Sequence, residues 1–249
     1  MGKYLTKRVN RFTKNIHLII ETGTFKGDST REMADNFDQV ITIELDNKLY
    51  NETSKKLKNE GYTNIKYING DSGIVIEDLS KEINEPTLFF LDAHWSGDSS
   101  IDWGKSKWKG YQVDTAHLGS TDQIPSGEQQ VPLDREIKSI SKLFKNKGVV
   151  YIDDIDKFAP SGKGLKNKAF IGEDYSHLDL KIFRDNFGTR LKFWKNIKFR
   201  QLIIVFDKIP ESSEEEFLQK MYYYTFFKIR FYIDNFKNLR YFIKGKFNL

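Results

Sequence analysis

The chain has 249 residues, 39% of them hydrophobic and 30% charged, with a net charge of +5 and no cysteine. That length suits one sizeable α/β domain with a small appendage, and the lack of cysteine excludes a disulfide framework and a Cys-ligated zinc site. From residue 217 onward seven Lys/Arg stand against one Asp, so this segment carries +6 and the rest −1. The basic balance is therefore no argument that the main domain grips nucleic acid. The first residues are basic without an apolar stretch of signal-peptide length. Met1-Gly2 with Thr6 is weak support for a myristoylation site. No run approaches the ~20 apolar residues of a spanning helix. A cytoplasmic protein is the expectation.

Apolar runs of strand length alternate with amphipathic stretches along the chain. Residues 17–20 read as a first strand and 28–37 as a helix, 40–43 as a second strand and 47–60 as a second helix. Residues 64–68 form a third strand, followed by a short helix over 72–83. Residues 87–91 are wholly apolar, as a buried central strand should be. A helix over 133–144, a strand over 148–152 and a helix over 174–187 follow. Runs 191–199 and 201–206 follow each other too closely for a parallel crossover, so they form an antiparallel pair. The reading is a Rossmann-like, doubly wound, mostly parallel seven-stranded sheet over residues 1–210, whose ligands bind beyond the carboxyl ends of the strands. From 211 to 249 the chain reads as a basic, aromatic helical extension. Its start carries a capping box of Ser213 with Glu216.

The unusual residues fall just after the strands. After the first comes Glu21-Thr22-Gly23-Thr24-Phe25-Lys26-Gly27-Asp28-Ser29. Gly23 and Gly27 permit a tight turn and close backbone approach to a ligand, and Asp28 or Ser29 can cap the next helix. Glu44 ends the second strand, 21 positions after Gly23, where a carboxylate can accept from both hydroxyls of a ribose. Gly70-Asp71-Ser72 ends the third. A dinucleotide fits less well. The spacing is Gly-x-x-x-Gly, and Glu21 would repel a pyrophosphate while suiting a ligand with an ammonium and a sulfonium. Ordinary turns and helix caps are the bland alternative for each motif taken singly.

These three motifs resemble those of class I S-adenosylmethionine-dependent methyltransferases, over roughly residues 17–207. The resemblance implies that Glu21, Thr22, Gly23, Thr24, Gly27 and Ser29 surround the methionyl part of the cofactor. It also implies that Glu44 binds the ribose and that Asp71 and Ser72 lie near the adenine. Downstream, the fourth strand is followed by Asp92-Ala93-His94-Trp95-Ser96 and the fifth by Asp153-Asp154. Neighbouring strand ends bring Asp92, Asp153 and Asp154 together, and clustered carboxylates need a cation or protons. Hard oxygen ligands suit Mg²⁺ or Mn²⁺. A helix cap and a Lys pair are the plainer account of these aspartates.

Phe90-Leu91-Asp92 with His94-Trp95 looks like the metal-binding strand end of catechol O-methyltransferase. The fit is closer to metal-dependent sugar O-methyltransferases of the macrocin and mycinamicin type, which have an Asp followed closely by a His and an acidic pair one strand later. Ser96 stands where the catechol enzymes have a lysine, so the resemblance implies His94 as general base, with Asp92 shared between metal and cofactor. Asp92-Ala93-His94-Trp95 also stands where many amino-methyltransferases carry Asn/Asp-Pro-Pro-aromatic, which speaks against base methylation. The implied acceptor is a hydroxyl of a sugar in a glycan or glycosylated metabolite. An RNA ribose or small-phenol O-methyltransferase and a non-catalytic cofactor-binding scaffold are the alternatives. Between Trp95 and Pro132 lies a long polar loop with Trp103, Trp108 and Tyr111, suited to a lid or to stacking on a sugar. Glu136 reads as a structural residue of its helix. The extension from 211 suits docking on the domain, on a partner protein or on a membrane surface.

Overall fold

The computed structural model describes residues 10–93, 131–153, 155–159, 161–165, 174–198, 201–229 and 233. After a short helix α1 (Asn10–Thr13) the chain alternates as β1 (Leu18–Thr22), α2 (Asp28–Ala34), β2 (Gln39–Glu44), α3 (Asn47–Asn59), β3 (Ile65–Asn69), α4 (Ser72–Glu82), β4 (Thr87–Leu91), α5 (Leu133–Leu143) and β5 (Gly148–Ile152). A 3₁₀ turn Ile155–Lys157, α6 (Lys181–Phe187), a 3₁₀ turn Gly188–Arg190, β6 (Leu191–Lys198) and β7 (Gln201–Phe206) complete the domain. The seven strands form one sheet in the order β3-β2-β1-β4-β5-β7-β6, with β7 antiparallel to both its neighbours. This is the Rossmann-like, mostly parallel seven-stranded sheet with a late antiparallel pair that the alternation of strand and helix leads one to expect.

The wholly apolar β4 is buried along its length, because both faces of the sheet are covered. Ile20, Phe89, Leu91 and Ile152 share one core with α4, α5 and α6. Ile19, Leu88, Phe90 and Tyr151 share another with Met33 and Phe37. Helix α5 joins the first core through Leu133, Ile137 and Ile140, backed by Phe144. These positions at i, i+4, i+7 and i+11 make one stripe, and burying each side chain stabilises by roughly 1.5–3 kcal/mol. Arg190 is buried at the far end of this helix. Its guanidinium donates to the carbonyls of Ser141, Phe144, Asn146 and Asp207, and burial lowers its pKa to about 10.

Three elements differ from their sequence reading. Strand β1 runs on through Glu21 and Thr22, although apolarity stops at Ile20. The polar residues stay in the strand because they pair inside the protein: Glu21 lies opposite Thr42 and accepts its hydroxyl at 2.7 Å. The helix expected over 174–187 begins only at Lys181. The carboxylates of Asp174 and Asp179 accept the backbone N–H groups of Ser176 and Lys181, and such local bonds favour turns over helix. The extension begins with α7 (Ser213–Tyr222) and a π-helical turn Tyr223–Phe227. Its cap is Ser212, which accepts the Glu215 N–H at 3.1 Å, so the capping pair sits one residue earlier than expected. Gln219, Tyr223 and Phe227 turn inward, the two aromatics joining the α4–α6 core. Phe217, Leu218, Met221, Tyr224 and Phe226 face outward. Among the described residues no helix is long and apolar enough to cross a membrane.

Candidate functional site

Register decides what lies along the carboxyl edge of the sheet. Thr22 lies opposite Ile43 on one side and Leu91 on the other, and Leu91 lies opposite Ile152. The next residue of each strand is therefore Glu44, Gly23, Asp92 and Asp153, one row across four adjacent strands. Neighbours in such a row are about 4.8 Å apart along the hydrogen-bonding direction.

The turn after β1 is held tightly. Gly23 has φ +86°, and its N–H donates to the Ile43 carbonyl at 2.9 Å. A Cβ there would stand 3.0 Å from the Asp92 carbonyl oxygen, so the turn lies flat against the chain leaving β4. Gly27, with φ +79°, is the N-cap of α2, and a Cβ on it would collide with Thr53 and Leu57 of α3. Phe25 takes a left-handed φ of 48°, which is uncommon outside glycine. Its N–H donates to Glu44 Oε2 at 2.7 Å and its carbonyl accepts the Thr53 hydroxyl at 2.6 Å. Glu44 Oε1 accepts the Asp46 N–H. The ribose-binding candidate thus also ties the first turn to the second strand, and burial raises its pKa.

Several residues expected around the cofactor have hydrogen-bond partners within the protein. Glu21 is fully buried, and its carboxylate accepts the hydroxyls of Ser29, Thr30 and Thr42. The hydroxyls of Thr24 and Thr42 are 2.6 Å apart. The Thr22 hydroxyl accepts the N–H groups of Asp92 and Ala93 at 3.3 Å. Glu21, Thr24 and Ser29 thus share one polar network with Thr30 and Thr42, and Thr22 holds the chain leaving β4. Ser29 caps nothing, and Asp28 is simply the first residue of α2. Asp71, expected beside an adenine, caps α4 through the Gly73 N–H and forms a bidentate pair with Arg135 at 3.0 Å.

Burial pushes Glu21 up to about 7, against the three hydroxyls that lower it. The folded chain therefore keeps a proton that the unfolded chain loses above its ordinary value of 4.5. Stability from this group falls as pH rises from 4.5 to about 7 and is level above that. The cost is on the order of 3 kcal/mol. Glu21→Gln should flatten this decline between pH 5 and pH 8 in denaturant unfolding. An unchanged slope in the variant would assign the pH dependence elsewhere.

Asp92 and Asp153 line a cleft at the ends of β4 and β5, together with Leu91, Ala93, Ile152, Glu136, Val131, Leu133, Phe158 and Tyr175. The cleft encloses about 290 Å³ including its open mouth. Phe158 and Tyr175 meet edge to face, 5.8 Å between ring centres. The charges of Asp153 and Asp92 add to burial in raising the Tyr151 phenol, which stacks on Phe90. Among the described residues no three acidic or histidine side chains close up into a metal-holding group. His94 and Asp154 lie outside the described residues, as do Trp103, Trp108 and Tyr111.

Glu136 reads from the sequence as a structural residue of its helix. It lines the cleft from the first turn of α5, 1% exposed, and its Oε1 is buried without a hydrogen-bond partner. Burial pushes it to about 7. Its signal was available in the sequence, since a glutamate on the same face as Leu133 and Ile140 is an acid on a buried stripe.

The family model of ribosomal RNA adenine dimethylases matches residues 12–75, the part of the chain from α1 to the start of α4. No curated protein matches the chain in sequence. Among solved structures, the PH0226 protein of Pyrococcus horikoshii OT3 is 8% identical, with a TM-score of 0.49 over 83% of this chain and 88% of that one. A SAM dependent methyltransferase from Aquifex aeolicus is 10% identical, TM-score 0.40, over 78% and 82%. An rRNA methylase from Streptococcus thermophilus is 14% identical, TM-score 0.36, over 78% and 87%. At such identities a likeness in chain path says nothing of a residue's role or of a substrate.

Proposed function

We propose that this chain transfers a methyl group from S-adenosylmethionine to a hydroxyl oxygen of a sugar, in a glycan or glycosylated metabolite, with the help of Mg²⁺ or Mn²⁺. The observation that carries the reading is the row Glu44, Gly23, Asp92 and Asp153 across four adjacent strand ends. It sets a ribose-type carboxylate and a close-approach glycine beside a pair of acids. The match of residues 12–75 to a methyltransferase family model falls on the cofactor half of this row and supports that half of the reading.

Bound S-adenosylmethionine supplies an activated methyl on a sulfonium, and a divalent cation lowers the pKa of a hydroxyl it holds. The protein's part is placement. Glu44 accepts the ribose hydroxyls while its hold on the Phe25 N–H keeps the first turn in place. Gly23 lets the cofactor and the chain after β4 approach the turn closely. Asp92 and Asp153, with Asp154, would supply the oxygen ligands that hold the cation. His94 takes the proton from the acceptor hydroxyl, general-base work that contributes typically 10²–10⁴-fold. Phe158 and Tyr175 give the cleft an aromatic wall for a sugar face.

A second reading, methylation of RNA, is favoured by one observation, since the matching family model is that of ribosomal RNA adenine dimethylases. Asp92-Ala93-His94-Trp95 after β4 stands against an adenine amino acceptor. Labelled S-adenosylmethionine offered with panels of sugars, glycosylated metabolites, RNAs and phenols, with and without exhaustive chelation, separates the readings. The expected result is metal-dependent transfer to a sugar hydroxyl. Transfer to RNA, or full turnover after chelation, would contradict it.

A further inference from the structure

Helix α7 and the π-helical turn that continues it have two unlike sides. Gln219, Tyr223 and Phe227, four residues apart, are buried, and the two rings stack with centres 5.6 Å apart. Tyr222 donates its hydroxyl to the Lys192 carbonyl at 3.2 Å. One side is thus fixed to the domain. On the other, Phe217, Leu218, Met221, Phe226, Ile229 and Ile233 are each half or more exposed. Among the described residues, the only large hydrophobic side chains exposed outside this segment are Ile74 and Leu165. An apolar patch so concentrated marks an interaction surface. Its charge says what kind. From residue 217 to 249 the chain carries seven Lys/Arg against one Asp. The acids stop at the first turn of α7, where Glu215 and Glu216 pair with Lys208 and Lys220. Lys228 lies over the exposed Tyr224 ring, 5.5 Å from its centre.

We propose that this outward side docks the protein on the surface of an anionic membrane. A second copy would cover the apolar side chains, but it would bring two segments of +6 together. Nucleic acid would meet the cations through its phosphates and leave Leu218, Met221, Ile229 and Ile233 without a partner. Anionic lipid answers both features. The apolar side chains enter the boundary between headgroups and acyl chains, the Tyr ring sits at headgroup level, and Lys and Arg meet the lipid charge. Lys192, which holds Tyr222, is the second residue of β6. Leu191 before it pairs with Phe206, and Phe206 pairs with Gly148 at the start of β5. The anchor therefore lies toward the amino edge of the sheet, opposite the edge that carries Asp92 and Asp153. Docking does not rest on the methyl-transfer reading.

The test sediments the full chain with vesicles of phosphatidylcholine, alone or with about 30% phosphatidylserine. The anionic vesicles should bind roughly tenfold more tightly than the neutral ones, and raising NaCl to about 0.5 M should remove most of that difference. Leu218→Gln combined with Met221→Gln keeps the charge and changes two exposed side chains. The pair should weaken binding roughly tenfold with an unchanged thermal midpoint. A measurement on the wild type guards against a variant that does not fold: anionic vesicles should slow hydrogen exchange over residues 217–229 and leave α3 unchanged. No binding to anionic vesicles, equal binding by wild type and variant, or protection that spares 217–229 would overturn the proposal. A dimer in sedimentation velocity that the double variant dissolves would give the face to a second copy and overturn it too. Protection of the same residues by RNA and not by vesicles would do the same.

Discussion

Asp153→Asn should lower methyl transfer at least about 100-fold, the upper end of what even an outer-shell partner of a metal site costs, while S-adenosylhomocysteine binds nearly as before. The variant keeps the shape of the side chain and removes one negative charge. Asp153 follows directly on β5, one strand beyond Asp92 and two beyond Gly23. Its loss therefore acts on the acceptor side of the edge and spares the cofactor turn. Part of the lost rate should return at raised Mn²⁺ if the cation binds more weakly, since occupancy then limits turnover. Near-normal rates at low metal would remove Asp153 from the chemistry.

Glu44→Ala should weaken S-adenosylhomocysteine by roughly 10- to 100-fold, the 1.5–3 kcal/mol of hydrogen bonds to a charged group. Two losses combine. The ribose loses its acceptor, and the Phe25 N–H loses the partner 2.7 Å away that holds its left-handed backbone. Glu44→Gln separates them, because the amide keeps one carbonyl oxygen but loses the charge and the second acceptor. It should fall between wild type and alanine. Calorimetry on the three proteins checks this, and identical affinities would show that the end of β2 does not contact the cofactor.

The sheet was legible because its signal is hydrophobic run length. Residues 87–91, 148–152 and 201–206 are strands with the bounds expected. The positions of Gly23, Glu44, Asp92 and Asp153 followed from one rule, that ligands gather beyond the carboxyl ends of parallel strands. Side-chain direction was not legible. The hydroxyls of Ser29, Thr30 and Thr42 that Glu21 accepts come from two other elements. The partner of Asp71 is Arg135, which α5 brings across from 64 residues away. Glu136, read as a structural residue of its helix, lies on the buried stripe of α5 with Leu133 and Ile140. That it lines the cleft beside Asp92 and Asp153 comes from packing. Local pattern carries periodicity, and such cross-chain pairings come from tertiary packing.

Isothermal calorimetry of the wild-type chain with S-adenosylmethionine, S-adenosylhomocysteine and NAD⁺ tests the central claim most directly. The Gly23 turn with Glu44 should bind the first two at a single site and leave NAD⁺ unbound, because an acid-lined edge repels a pyrophosphate. Binding of NAD⁺, or no binding of either methyl-cycle ligand by folded protein, would contradict the account.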